Sequence, residues 1–227
     1  MTHDCINIIY IDNHLIAVVK PSGLLTQPDH TTNESLLDQT REWIKKEHNK
    51  PGNIFLGLVH RLDRNVSGVV LFARTSKAAS RLSKQFREGV PKKYYKAIVL
   101  GKLKDINSTL VHYLRKEKSL KTTVFPREAP NAKHSILTYE VVDTFNKKSL
   151  IAITLSTGRF HQIRAQMAFI GHPIMGDKKY GAPYSLPNQE IALYACNLVF
   201  NHPTSNEEIR LTAPEPKTWG NLKSEVL

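Results

Sequence analysis

The sequence predicts an α+β fold with a mostly antiparallel mixed β-sheet core and flanking helices. Three observations carry that reading. Short β-rich runs recur through most of the 227 residues. Only three stretches, 33–48, 76–87 and 160–170, carry a helical period. The strand runs outnumber them and do not alternate with them regularly, as a parallel α/β sheet would require.

Taken in order, residues 6–11 and 15–20 are β-rich runs around Asp12-Asn13, which reads as a hairpin ended by Pro21-Ser22-Gly23. Residues 33–48 place Leu36, Leu37, Thr40, Trp43 and Ile44 on one helical face. The apolar stretch Val69–Ala73 is a buried strand. Thr75 caps a helix over 76–87, with Ala79, Leu82 and Phe86 inward and Gly89 at its end. Lys93–Gly101 is a strand. Residues 102–134 are polar and basic with weak periodicity, and read as a basic insertion leaving the core, either RNA-facing or an ordinary surface excursion. Strands follow at 135–143, 149–155 and 192–200. The helix at 160–170 sets Phe160, Ile163, Met167 and Ile170 on one face. The last fifteen or so residues read as polar and frayed. With no linker or repeat, one domain over 1–227 is expected.

Composition narrows the function classes. Lys and Arg number 32 against 20 Asp and Glu, a formal charge of +12, which favours polyanionic partners over a merely soluble surface. No apolar run approaches the ~20 residues of a membrane helix. The start, Met1-Thr2-His3-Asp4, lacks the pattern of a signal peptide. Two distant cysteines, Cys5 and Cys196, make no disulfide framework and fit the cytoplasm. His60, His112, His134, His161 and His172 are scattered, with no HExxH and no CxxC pair, so no metal site is expected. No phosphate loop or GxGxxG points to a nucleotide cofactor.

The densest chemistry lies in Val59–Arg74. There Asp63 sits between Arg61 and Arg64 and precedes a Ser67-Gly68 turn. A lone acid beside cations is suited to act ionised, as a nucleophile or general base, although a surface ion pair gives the same pattern. Arg164, in Thr157–Arg164, falls at the shoulder of an apolar stripe, about 80° from its centre at about 100° per residue. From there it either reaches into a cleft to hold a carboxylate or snorkels to solvent. Tyr95, on a strand, either stacks on a base or fills the core, and Tyr94 points to the opposite face.

Four segments, together spanning roughly residues 8–212, resemble the RluA-type pseudouridine synthases. Val19-Lys20-Pro21-Ser22-Gly23-Leu24 is similar to N-K-P-x-G-L. His60–Gly68 is similar to HRLD-x-x-(T/S)-S-G. Lys93–Gly101 is similar to K-x-Y-x-A-x-V-x-G. Thr157–Gly181 contains Thr-Gly-Arg-Phe-His-Gln-Ile-Arg and then Gly171-His172-Pro173-Ile174-Met175-Gly176-Asp177, ending at Tyr180-Gly181. Val19, Val66 and Gln166 depart from the common residues at their positions.

The resemblance implies the pseudouridine synthase catalytic fold, without room for an N-terminal S4 domain. It implies a catalytic set of Asp63, Tyr95 and Arg164. Asp63 stands at the catalytic aspartate, Tyr95 at the tyrosine packed on the target uracil, and Arg164 at the arginine paired with the aspartate. The matched motifs also put forward Lys20, His60, Arg61, Arg64, Ser67, Arg159, His161 and Gln162 as substrate- and RNA-binding residues, Arg61 as a wedge behind a flipped base. The implied reaction turns uridine into pseudouridine in ribosomal RNA, tRNA or both, with RNA the only partner of a monomeric enzyme. No group leaves and no oxidation state changes, so no cofactor is required. A non-catalytic RNA-binding protein on the same fold is the alternative. A glycoside hydrolase would want a second carboxylate, and Asp177 reads instead as part of a structural turn.

Overall fold

The computed structural model describes residues 6–29, 34–49 and 51–224. In chain order these form β1 (Asn7–Ile11), β2 (Leu15–Lys20), α1 (Leu36–Glu47), β3 (Gly57–Leu58), β4 (Ser67–Ala73), α2 (Ser76–Glu88), β5 (Lys92–Leu100), β6 (Asn107–Lys116), β7 (Thr122–Phe125), β8 (Lys133–Phe145), β9 (Lys148–Leu155), α3 (Gln162–Phe169), β10 (Leu193–Asn201), β11 (Glu208–Thr212) and α4 (Trp219–Ser224). Two compact units emerge: Met1–Pro91 with Cys196–Pro214, and Lys92–Ala195 with Glu215–Leu227. The boundary falls within β10.

In the first unit the strand order is β1-β2-β4-β10, with β11 on β10 and the short β3 on β4. The expected β1–β2 hairpin forms because the Asp12 carboxylate accepts the backbone N–H groups of His14 and Leu15, both at 2.7 Å. β4 is buried along its whole length, which explains its uninterrupted apolar sequence. Alternate residues of β2 and β4 (Leu15, Ala17, Val69, Leu71 and Ala73) pack with Ala78 and Leu82 of α2 and with Leu198, Phe200 and Leu211. Thr75 caps α2 and Gly89 ends it at φ 75, both as the sequence predicts. α1 begins at a capping box of Ser35 and Asp38 and buries Leu36, Leu37, Thr40 and Ile44.

The second unit is built on an antiparallel sheet ordered β5-β9-β8-β6-β7. Asn146 and Lys147, at φ 43 and 58, supply the two left-handed residues of the tight β8–β9 turn. Tyr95 lies opposite Ile153 on β9, and its neighbour Tyr94 opposite Thr154, so the two tyrosines take opposite faces as expected.

Three expectations need correction. The segment 102–134 does not leave the core: β6 pairs with β8 and β7 and buries Leu110, His112 and Leu114 on one face. The other face carries Thr109, Val111 and Arg115, and His112 interrupts the buried one, so the period of two is weak in the sequence. The frayed C-terminal segment contains α4, whose Trp219 is 0% exposed and meets Tyr194 edge-on at 4.8 Å. Finally, α3 has no exposed face over 162–167: every residue there is buried, and Arg164 does not take the snorkelling alternative.

Candidate active site

The first unit presents Asp63. Its loop is gripped by the segment that follows β2. Register places Lys20, the last residue of β2, opposite Gly68 at the start of β4, which brings the chain leaving one strand beside the loop entering the other. The Lys20 ammonium is wholly buried and donates to the carbonyls of Pro21 at 2.9 Å, Leu24 at 2.7 Å and Arg64 at 2.9 Å. Three N–H donors meet three carbonyl oxygens, which is how a buried ammonium is tolerated. Gly23, at φ 87, turns its backbone so that its N–H donates to the Arg64 carbonyl and its carbonyl accepts from Arg64 Nε, both at 2.9 Å. Ser22 Oγ donates to the Asn65 carbonyl at 2.9 Å. Thr26 Oγ1 donates to the Leu62 carbonyl at 2.8 Å and accepts from the Leu62 N–H at 3.2 Å. Within the loop, Val66 N–H closes a turn on the Asp63 carbonyl at 3.1 Å. The backbone on both sides of Asp63 is therefore fixed, while its side chain stays partly accessible.

Burial pushes the Lys20 ammonium down to about 7; the Asp63 carboxylate pulls it back up and Arg64 pushes it further down. His60 Nε2 accepts the Leu71 N–H at 3.0 Å, and its ring stacks on Phe86 at 4.9 Å. That contact holds the other end of the loop to β4 and α2. Arg61 and Arg64 are exposed, whereas Ser67 is buried.

The second unit presents Tyr95 and Arg164. Tyr95 is partly buried on β5. Arg164 projects from α3 and pairs side-on with Asp177: Nε meets Oδ2 at 2.6 Å and Nη2 meets Oδ1 at 2.9 Å, with side chains 6% and 1% exposed. The guanidinium carbon also lies 5.1 Å from the centre of the Tyr180 ring. The turn into α3 is held by Gln162, whose Oε1 accepts from Thr157 Oγ1 at 2.8 Å and Arg159 N–H at 2.9 Å, and whose Nε2 donates to the Ile136 carbonyl at 3.0 Å. His161 takes a left-handed conformation at φ 53, stacks on Phe160 at 3.8 Å, and lies with Nδ1 2.9 Å from the Tyr180 hydroxyl. Burial, and then Arg164 and Lys179, push its imidazole down to about 3, so the ring is neutral at ordinary pH. Arg159 is exposed, with Nε donating to the His134 carbonyl at 3.1 Å.

Of the residues singled out in the sequence, Asp63, Arg61, Arg64, His60, Ser67 and Lys20 thus cluster in the first unit; Tyr95, Arg159, His161, Gln162 and Arg164 belong to the second. Sequence reasoning missed Thr26, Tyr180 and the side-on contact of Asp177 with Arg164. Asp177 lay inside a quoted motif and was read as part of a turn; as the one acid in that block, it was the available signal. Among the described residues no group of three or more His, Cys, Asp or Glu is placed to hold a metal.

Residues 14–169 match the family described as RNA pseudouridylate synthase. Over 219 residues the chain is 33% identical to the dual-specificity RNA pseudouridine synthase RluA of Pasteurella multocida, covering 94% of each chain. It is 34% identical over 214 residues to the ribosomal large subunit pseudouridine synthase C of Buchnera aphidicola, covering 91% of this chain and 66% of that one. The solved structure of human RNA Pseudouridylate Synthase Domain Containing 4 shares the fold, with a TM-score of 0.79 at 22% identity over 94% of this chain and 90% of that one. The chain therefore belongs to the RNA pseudouridylate synthase family and is an isomerase that acts on RNA.

Proposed function

We propose that the enzyme converts specific uridines of ribosomal RNA, tRNA or both, with Asp63 as the catalytic carboxylate. The observation that carries the assignment is the grip on its loop: Lys20, Ser22, Gly23 and Thr26 each hydrogen-bond to one of residues 62–65, on either side of Asp63. A carboxylate mounted this way is preorganised to act at one atom of a bound substrate. The reaction balances without a cofactor. The N1–C1′ bond breaks, the uracil turns, C5 bonds to C1′, the C5 hydrogen leaves as a proton, and N1 takes up a proton from solvent. Asp63 either adds to the sugar or takes the C2′ proton. Tyr95 packs on the base, and Arg164 completes the proposed catalytic set.

Burial sorts the remaining residues. Exposed Arg61, Arg64 and Arg159 face the RNA, while Lys20, Ser67 and Gln162 hold the loops that carry the chemistry; His60 and His161 steady the same loops through their ring contacts. The target base has to leave its stack, which costs a few kcal/mol and is cheapest in loops and bulges. The substrate classes are supported by the +12 charge and by relatives named for dual specificity and for the large ribosomal subunit. The same reading makes the enzyme a cytoplasmic monomer with one catalytic domain over residues 1–227; among the described residues no helix is long and apolar enough to cross a membrane. Incubation with unmodified ribosomal RNA and tRNA, followed by chemical mapping of pseudouridine, tests the proposal. New sites in either RNA support it, and none in both would contradict it.

A further inference from the structure

The Arg164–Asp177 pair is more than a buried counter-charge. An arginine has two edges that a carboxylate can grip. Asp177 takes the side edge, Nε with Nη2, at 2.6 and 2.9 Å. The end edge, formed by Nη1 and the second Nη2 hydrogen, lies outside this pair and is directed by it. A second constraint acts at right angles to the first, because the Tyr180 ring lies against the guanidinium at 5.1 Å. Tyr180 is itself fixed, since its hydroxyl accepts the Thr122 N–H at 2.8 Å and meets His161 Nδ1 at 2.9 Å. Asp177 is mounted as firmly. Gly176 before it sits at φ +85, and a Cβ there would meet Leu186 at 2.7 Å and the Glu190 carbonyl at 2.8 Å. The Asp177 carbonyl accepts the N–H groups of Tyr180 at 3.0 Å and Ala182 at 3.1 Å.

The geometry points to Asp177 as a positioning residue for the isomerisation: it fixes the plane and direction of the Arg164 guanidinium. The inference rests on the reading that Arg164 belongs to the catalytic set. The Asp177 side chain is 1% exposed and offers RNA no surface, so its loss is read in turnover and not in RNA affinity. A misdirected guanidinium lowers the rate, whereas the exposed cations that meet the RNA are unaltered.

The experiment uses the full chain and the unmodified RNA that the wild type modifies. Turnover is followed by tritium release from uracil C5, RNA affinity by filter binding, and folded fraction by circular dichroism. Asp177→Asn is expected to lower turnover roughly 100-fold, the scale of a small misplacement at a reacting centre, with affinity within about threefold. Arg164→Lys keeps the charge but cannot make the side-on pair and should lose a similar amount. The double variant should be no slower than the worse single variant by more than about threefold, because both changes break one device. Should Asp177→Asn fail to fold, Asp177→Glu keeps the charge and moves the carboxylate by one methylene; a turnover loss of roughly tenfold or more at intact affinity is then expected. Turnover falling only in step with folded fraction, losses that multiply in the double variant, or wild-type turnover in Asp177→Glu would each overturn the inference. An inactive wild type would instead overturn the functional reading beneath it.

Discussion

Replacing Lys20 by Met tests the grip on the Asp63 loop, and the structure sets two opposing terms. The variant removes the ammonium from the Pro21 and Leu24 carbonyls; the Arg64 carbonyl keeps the Gly23 N–H. Two carbonyls that lose a charged donor cost about 1–3 kcal/mol each. On the other side, Met carries no charge to bury. The Lys20 ammonium falls from its ordinary 10.5 to about 7 on folding. Between those values the unfolded chain binds the proton and the folded chain sheds it, so stability rises with pH across that window and the cost of burying the group fades. From the two values the cost is about 4 kcal/mol at neutral pH and about 2 kcal/mol near pH 9. The two terms nearly cancel at neutral pH, so Lys20→Met should unfold in urea within about 2 kcal/mol of wild type there, yet turn over far more slowly because the loop is no longer held. Near pH 9 the wild type should gain about 2 kcal/mol relative to the variant. Groups shared by both proteins drop out of that difference. A wild-type-minus-variant stability that is flat between neutral pH and about pH 9, or full turnover in the variant, would refute the reasoning.

Other outcomes follow from the same geometry. Arg164→Ala strands the Asp177 carboxylate, 1% exposed, and should cost about 3–5 kcal/mol in denaturant unfolding as well as activity; a stability equal to wild type would show that the pair contributes nothing. His161 is depressed to about 3 from its ordinary 6.5, so it takes up a proton on unfolding and costs stability as pH falls through that window. His161→Asn suits the left-handed backbone and removes this cost, so the variant should gain on wild type in urea unfolding between pH 6.5 and about pH 4. Trp219→Ala should lose about 3–5 kcal/mol if α4 is an integral part of the second unit, and thermal unfolding would register it.

Much of the fold was legible because local chemistry and tertiary packing agree. Thr75 and Gly89 mark the ends of α2 by capping alone, and Val69–Ala73 reads as buried because β4 is covered on both faces. The failures share one cause. β6 alternates between buried Leu110, His112 and Leu114 and exposed partners, but a His in the apolar register and Lys or Arg at its end hide the period of two. α4 is too short to show a helical period, and a single Trp219 anchors it. The site divides in the same way. Asp63, Tyr95 and Arg164 stand out in the motifs as the proposed catalytic set, but the sequence alone could not say that Lys20 donates to backbone carbonyls, since a lysine beside proposed catalytic residues equally suggests a phosphate contact. Nor could it show Asp177 gripping Arg164, because thirteen residues and a turn separate them.

The central claim is that Asp63 is the carboxylate that drives the isomerisation, and one comparison meets it directly. Wild type and Asp63→Asn are incubated with ribosomal RNA and with tRNA, each unmodified and tritiated at uracil C5, and release of label is followed alongside RNA binding. The account predicts release by the wild type from at least one RNA, none by Asp63→Asn, and similar binding by both, since the amide keeps the shape of the side chain and loses only its charge. Release by Asp63→Asn at the wild-type rate would contradict it.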